Sequence, residues 1–295
     1  MAHLKFLLLL LWVVHFSSHV AGYNHNSWLL ADRIRYSDGK PTICKYITLL
    51  SGFTVCTEVD LHKRIFHDHR CEKNDHLYYV QIIRTNGTHY HHLCGGSLIH
   101  SEWVLTAAHC WINLTGWNVS AYVGIHPGPG RMATITDHKI FEDQTGKHDI
   151  MLLKIDPPEN MIKPVDLPQC KRRKKMDVIQ IAGFGGYTVN ATYHKLPGTP
   201  PHLQCAKMHV VECGLNLHPY NSTLLWPNGN TMCYKEPRVD TCEGDSGGGV
   251  IAKNKKIHGV LVGGCERACT GPAISLKVCS YIHWIKPIIT SNNGK

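Results

Sequence analysis

Thirteen cysteines in a chain of 295 residues constrain this fold more than any other feature. No two of them stand in a CxxC pair, so zinc and thiol-redox chemistry have little support. A framework of disulfides is expected instead, and that requires an oxidising compartment. Because the count is odd, at least one thiol is left free or bonded to another molecule. The N-terminus agrees with export. Lys5 precedes a short apolar run from Phe6 to Val14, and small residues continue up to Val20-Ala21-Gly22. This pattern predicts a signal peptide over residues 1–22, since the apolar run is too short for a membrane anchor. Asn86, Asn113, Asn118, Asn190 and Asn221 each begin an Asn-x-Ser/Thr triplet. These are acceptor sites for glycosylation on a secreted, extracellular protein, although such triplets also arise by chance.

Residues 23–64 differ from the remainder of the chain. They carry Cys44 and Cys56, show no strong alternation, and end in Lys63-Arg64 just before the apolar Ile65. A basic pair at that point is a processing site, which makes residues 23–64 a pro-segment in which Cys44 and Cys56 could close a small loop. From Ile65 onward, short β-branched and aromatic runs alternate with turn residues. The runs are Leu77 to Ile83, Trp103 to Leu105, Asp149 to Ile155, Val178 to Ala182 and Ile257 to Val262. Asn86-Gly87, Pro127 to Gly130, Gly185-Gly186 and Pro197 to Pro201 are among the turn signals. Tyr281 to Ile289 has near-helical apolar spacing, with Pro287 as a complication. Many short strands and one terminal helix predict an all-β barrel domain over residues 65–295.

Formal net charge is +9, and its densest source is Lys171-Arg172-Arg173-Lys174-Lys175. That run is either a solvated loop or a contact for anionic glycans and acidic protein surfaces. Nucleic acid is not expected as a partner, because no aromatic reading surface accompanies the charge. The 22 histidines include the clusters His67-Asp68-His69 and His89-Tyr90-His91-His92. Without a defined tetrahedral ligand set they read as exposed loop residues, so no metal and no cofactor is expected.

The chemistry is concentrated in three segments. Gly244-Asp245-Ser246-Gly247-Gly248 sets a serine in a glycine-rich turn, where backbone N–H groups can face a substrate carbonyl. A serine hydroxyl needs a base to become a nucleophile. Thr106-Ala107-Ala108-His109-Cys110 and His148-Asp149-Ile150-Met151-Leu152-Leu153 supply a histidine and a carboxylate. Together, in this order, the segments resemble the signature motifs of the chymotrypsin/trypsin family from Ile65 to about Ile289.

That resemblance implies two six-stranded antiparallel β-barrels with a C-terminal helix and a catalytic cleft between the barrels. It implies Ser246 as nucleophile, His109 as general base, Asp149 as the residue orienting it, and the N–H groups of Gly244 and Ser246 as oxyanion hole. It implies the bridges Cys71–Cys205, Cys94–Cys110, Cys170–Cys279, Cys213–Cys233 and Cys242–Cys269, with Cys265 as a rival for the last and otherwise the odd thiol. One family bridge is absent at both ends, where Ile179 and Ala252 stand. Cutting after Arg64 would free the Ile65 ammonium to pair with Asp245, although His67 and Asp68 replace two glycines of that start. Asp240, six residues before Ser246, would select Arg or Lys, with Gly264 on the pocket wall and the Ala273 methyl narrowing it. Glu243 would add negative charge at the pocket mouth. Val262 and Gly263 replace a Ser-Trp pair, which would remove a hydroxyl near Asp149 and open the neighbouring subsite. The implied partners are protein or peptide substrates, an activating protease and protein inhibitors. A different reading is a catalytically silent homologue that acts as a binding or adaptor protein.

Overall fold

The computed structural model describes residues 30–37, 40–48, 54–60 and 69–291, apart from 87, 113, 171–175, 187, 191–193, 197, 215–222 and 265–267. The expected signal peptide, Arg64 and Ile65, the 171–175 basic run, Cys265, Asn113 and Asn221 therefore lie outside the described residues. Among the described residues no helix is long and apolar enough to cross a membrane. The chain divides into two units, 1–61 and 62–295.

The first unit is an antiparallel meander of β1 (Leu30–Ser37), β2 (Lys40–Thr48) and β3 (Thr54–Asp60). The sequence of this segment has no alternation strong enough to predict these strands. The local signal that does point to them is Asp38-Gly39 between β1 and β2, a pair suited to a two-residue hairpin. Register sets Cys44 opposite Glu58 and Cys56 opposite Tyr46. The side chains of both cysteines lie outside the described residues.

The second unit begins with the short β4 (His69–Arg70). Six strands then close a barrel: β5 (Tyr79–Thr85), β6 (Tyr90–His100), β7 (Trp103–Thr106), β8 (Asn118–Val123), β9 (Arg131–Asp143) and β10 (Gly146–Asp156). Their spatial order is β10-β7-β6-β5-β8-β9, antiparallel throughout. Val80, Ile82, Leu98, Leu105 and Leu152 fill it. Along β10 every residue from His148 to Leu153 is buried, which explains why this strand reads as an unbroken apolar run instead of an alternating one.

The chain then enters β11 (Val178–Gly183), succeeded by a separate two-stranded hairpin of β12 (Thr188–Val189) and β13 (Lys195–Leu196). It continues through β14 (Gln204–Val211), β15 (Thr231–Lys235), β16 (Gly249–Ala252), β17 (Ile257–Gly263) and β18 (Ala273–Lys277). The sheet order is β11-β16-β17-β18-β15-β14, and pairing of β11 with β14 closes it into a second six-stranded barrel, with β4 added beside β14. Ile179, Ile181, Met208, Tyr234, Val250 and Leu261 form its core. Ile179 and Ala252 are direct partners across β11 and β16, so an apolar contact stands where a covalent bridge was missing in the sequence.

The terminal helix α1 (Val278–Thr290) begins three residues before the expected segment and passes through Pro287 in its last turn. It buries Val278, Tyr281, Ile285 and Ile289. The Tyr281 hydroxyl bonds to Nδ1 of His148 at 3.0 Å, which packs the helix behind the residue that precedes Asp149.

Among the described residues four disulfides are formed: Cys71–Cys205, Cys94–Cys110, Cys170–Cys279 and Cys213–Cys233. The expected Cys242–Cys269 bridge is not, and both residues are thiols. The Cys242 sulfur faces the Leu196 carbonyl at 3.9 Å, while the Cys269 N–H is held by Asp240 at 2.8 Å.

Candidate active site

His109 sits in a single 3₁₀ turn, Ala108–Cys110, that leaves the end of β7. The Cys94–Cys110 bridge ties this turn back to β6. Asp149 lies on β10, with 1% of its surface exposed. Its Oδ1 accepts the His109 backbone N–H at 2.9 Å, and its Oδ2 accepts from Nδ1 of the same residue at 2.8 Å. With Nδ1 as donor, the neutral imidazole carries its lone pair on Nε2, facing away from Asp149. Burial alone would raise the Asp149 carboxyl, but bonds and charge from His109, joined by a bond from Trp226, hold it below the usual carboxylate range.

Nothing in the sequence motifs points to the Trp226 bond. Its Nε1–H donates to Asp149 Oδ2 at 2.9 Å. Leu225, one residue earlier, is pinned beside β10: its N–H donates to the Lys147 carbonyl at 2.8 Å, and its carbonyl accepts the Asp149 N–H at 3.1 Å. The indole also occupies the space beside Gly263, where a Cβ would lie 2.5 Å from its ring. The expectation for Gly263 is therefore corrected, while the hydroxyl lost at Val262 is made good from elsewhere. A donor to Asp149 is still present, and the room left by Gly263 is filled. Both come from one tryptophan on a distant loop, which motif spacing could not reveal.

Ser246 is held by a tight turn. Gly247 N–H donates to the Leu261 carbonyl at 2.7 Å, Gly248 N–H to the Asp245 carbonyl at 3.1 Å, and the Ser246 carbonyl accepts from Gly95 N–H at 2.7 Å. Gly244 and Gly247 have φ of 97° and 82°, and a Cβ on Gly247 would meet the Gly95 carbonyl at 2.2 Å, so only glycine fits there. Among the described residues the N–H groups of Gly244 and Ser246 donate to no protein acceptor. No hydrogen bond links the Ser246 hydroxyl to His109 in this uncut chain, a contact that commonly tightens only when substrate binds.

The Gly244 carbonyl is fixed from behind by His92, whose Nε2–H donates to it at 2.9 Å. Burial drops the His92 pKa to about 4, so the ring is neutral at physiological pH. The sequence places His92 in a cluster expected to be exposed. It instead braces the loop that presents Ser246.

Asp245 is 1% exposed. Its oxygens accept the N–H groups of Gly185 and Cys242 at 2.8 and 2.9 Å, and among the described residues no cation pairs with it. Burial raises its pKa to about 6. Asp240, at 3% exposure, differs: it already has a cation. Lys195 Nζ lies 2.8 Å from its Oδ2, and the Thr241 and Cys269 N–H groups complete its shell. The expected open anionic floor is thus covered by a lysine of the same chain. A cavity of about 350 Å³ above it is lined by Lys195, Thr241, Glu243, Ser246 and Gly264. A Cβ on Gly264 would lie 3.8 Å from Lys195 Nζ, which puts the ammonium against the expected wall. Ala273 is fully buried in the second barrel's core beside Tyr234 and Leu261, so its methyl does not line the cavity. Burial, and next the nearby Asp245, push the Cys242 thiol up to about 11; burial is also the main cause raising Cys269.

Asn86, Asn118 and Asn190 are exposed. The sulfurs nearest His109 are both committed to the Cys94–Cys110 bridge and offer no thiolate to a metal.

Residues 65–285 match the family model described as Trypsin. The chain is 31% identical over 254 residues to a dog protein named Serine protease 1, covering 82% of this chain and 97% of that one. It is 34% identical over 240 residues to the thrombin-like enzyme cerastocytin of Cerastes cerastes, covering 76% and 86% of the two chains. Among solved structures, mouse neuropsin, a serine protease of the limbic system, superposes with a TM-score of 0.59 at 22% identity, over 76% of this chain and 99% of its own.

Proposed function

Because the chain belongs to the trypsin family of serine peptidases, we propose that it is a secreted endopeptidase, made as a zymogen and cleaving after Arg or Lys. The observation that carries this reading is the His109–Asp149 pair at 2.8 Å beside a glycine-held Ser246. Ser246 attacks the scissile carbonyl while His109 Nε2 takes its proton and returns it to the leaving amine. Asp149 holds the tautomer and stabilises the imidazolium, and the N–H groups of Gly244 and Ser246 receive the oxyanion.

Processing after Arg64 fits the state of Asp245, a buried carboxylate with two backbone donors and no counter-charge among the described residues. An ammonium arriving from Ile65 would supply one, lower its pKa and order the Gly244 turn that it adjoins. Asp240 supports the Arg/Lys preference, since a buried carboxylate next to Thr241, which lines the cavity with Ser246, draws a cation, here Lys195. Export, glycans on the exposed asparagines, protein inhibitors and binding of anionic glycans through Lys171 to Lys175 complete the reading.

The test is cleavage of a mixed peptide library by secreted protein before and after cutting at Arg64, with Ser246→Ala as control. Cleavage after Arg or Lys that appears on cutting and vanishes in the variant is expected. The second reading, a silent homologue acting as an adaptor, is favoured by the lysine in the pocket. A serine-directed phosphonate separates the two, because processed protein that folds but takes no label at Ser246 would be the adaptor.

A further inference from the structure

We infer that His148 is a positioning residue for the reaction, acting on Asp149 through the loop that carries Trp226. The inference rests on the peptidase reading of the triad. His148 stands one place before Asp149 on β10, with 1% of its surface exposed. Its ring is bonded at both nitrogens. Nδ1 lies 3.0 Å from the Tyr281 hydroxyl on α1, while Nε2 lies 3.2 Å from Thr145 Oγ1 and 3.3 Å from Asp143 Oδ2. Thr145 Oγ1 donates its own proton to Asp143 at 2.6 Å, so both neighbours of Nε2 act as acceptors. The proton of the neutral ring therefore sits on Nε2, and Nδ1 accepts from Tyr281. The Phe141 ring packs against His148 and Tyr281 together, with centroids 4.9 and 5.0 Å away.

The loop from Leu225 to Asn230 is clasped at two ends. At one end Leu225 bridges β10 beside His148, with its N–H on the Lys147 carbonyl and its carbonyl on the Asp149 N–H. At the other end Lys277, the residue before α1, donates its N–H to the Asn230 carbonyl at 2.7 Å. Its ammonium also donates to the Gly229 carbonyl at 2.8 Å. Trp226 lies between the clasps and reaches Asp149 Oδ2 at 2.9 Å. One clasp belongs to the strand and the other to the start of the helix, so the loop follows the spacing between them. The His148–Tyr281 bond joins that strand to that helix, and the Asn230 side chain bonds the same hydroxyl. A shift of α1 against β10 thus moves the indole relative to a carboxylate that stays with the strand. Hydrogen bonds weaken steeply with misalignment, so the bond from Trp226 to Asp149 is the one that suffers. Acting through this one donor, His148 can cost no more when removed than the donor itself.

The experiment measures kcat and KM of processed protein for one peptide substrate, in a double-mutant cycle. The variants are His148→Leu and Tyr281→Phe, each alone and combined with Trp226→Phe. Each alone should lower kcat about fivefold with little change in KM, a smaller loss than Trp226→Phe gives. In the Trp226→Phe background both effects should shrink to under about twofold, because the donor they position is gone. His148→Asn, which keeps a polar atom toward Tyr281, should recover most of the loss. A residue that only stabilises the fold would give the same factor in both backgrounds. That result overturns the proposal, as does an effect confined to KM or no effect at all. Tyr281→Phe deletes a single oxygen and carries the same test if the leucine variant does not fold. In uncut Ser246→Ala protein the Trp226 indole N–H, identified by NMR from its loss in Trp226→Phe, supplies a readout without turnover. It should exchange with solvent at least about threefold faster in either variant, and unchanged exchange also overturns the proposal. Processed, unmutated protein that cleaves no peptide would instead sink the peptidase reading, and the proposal with it.

Discussion

Two buried carboxylates frame the cleft, and they are treated in opposite ways. Asp149 receives only neutral N–H donors and the His109 ring, so its charge is available to an imidazolium formed during turnover. Asp240 receives a lysine from its own chain, so its charge is already matched. The difference separates a part of the site that is already built from a part that is still occupied. A third carboxylate, Asp245, lies between them in character: buried, hydrogen-bonded and, among the described residues, without a cation.

The comparison can be broken most sharply at the reacting end. If the first region is complete, Ser246→Ala in protein cut at Arg64 should lower kcat by about 10⁶-fold while peptide binding persists, as measured by single-turnover assays against equilibrium binding. A small loss would mean that the triad is not the working part.

Asp245 offers the next largest effect, in the uncut chain. Its pKa is raised from 3.8 to about 6 by burial, so the folded state holds a proton that the unfolded state has released. Stability from this site is therefore full below about pH 4 and is lost as pH rises through about 6, a change of about 3 kcal/mol. Denaturant unfolding of uncut Ser246→Ala protein from pH 4 to 7 should show that decline, and Asp245→Asn should flatten it. Cutting at Arg64 should reverse the trend by supplying an ammonium; the same decline in cut protein would argue against insertion.

Trp226→Phe sharpens the account of Asp149. The ring still fills the space beside Gly263, but the donor is gone. Without that bond the carboxylate is held only by the His109 donors, and the looser positioning should lower kcat about tenfold with little change in KM. The acid limb of the pH profile should move upward, because a less satisfied Asp149 stabilises imidazolium more. An unchanged kcat would make the indole a packing residue only.

The smallest effect belongs to the pocket rim. Because Cys242 is a thiol here, Cys242→Ser should change stability by under about 1 kcal/mol. A loss of about 3 kcal/mol, the scale of a broken disulfide, would show that a bridge had formed in the purified protein. With its pKa raised to about 11, the thiol should react slowly with iodoacetamide at pH 7.

What could be read from the sequence divides along the same line. His109, Asp149 and Ser246 each stand within a contiguous motif, and the strands of the first barrel that lead into them were visible as β-branched runs. The second barrel's apolar Ile179–Ala252 contact was legible as a paired absence of cysteine. Lys195, Trp226 and His92 were not legible, because each acts through a single side-chain bond on a residue far along the chain. The separation is 77 positions for Trp226 and 152 for His92. Lys195 and Trp226 also sit in stretches whose local composition has no periodicity. The meander of the first unit was missed because its strands lack clean alternation, although the Asp38-Gly39 pair in the sequence was there to be read.

The fit of the Trp226 ring against Gly263 also restricts how this chain can change. Any side chain introduced at 263 would collide with the indole and push its nitrogen away from Asp149. Introducing tryptophan at 263 alone should therefore damage the site. Positions 226 and 263 are free to vary only as a pair, and a saturation screen should show each tolerant of large residues only when the other has become small.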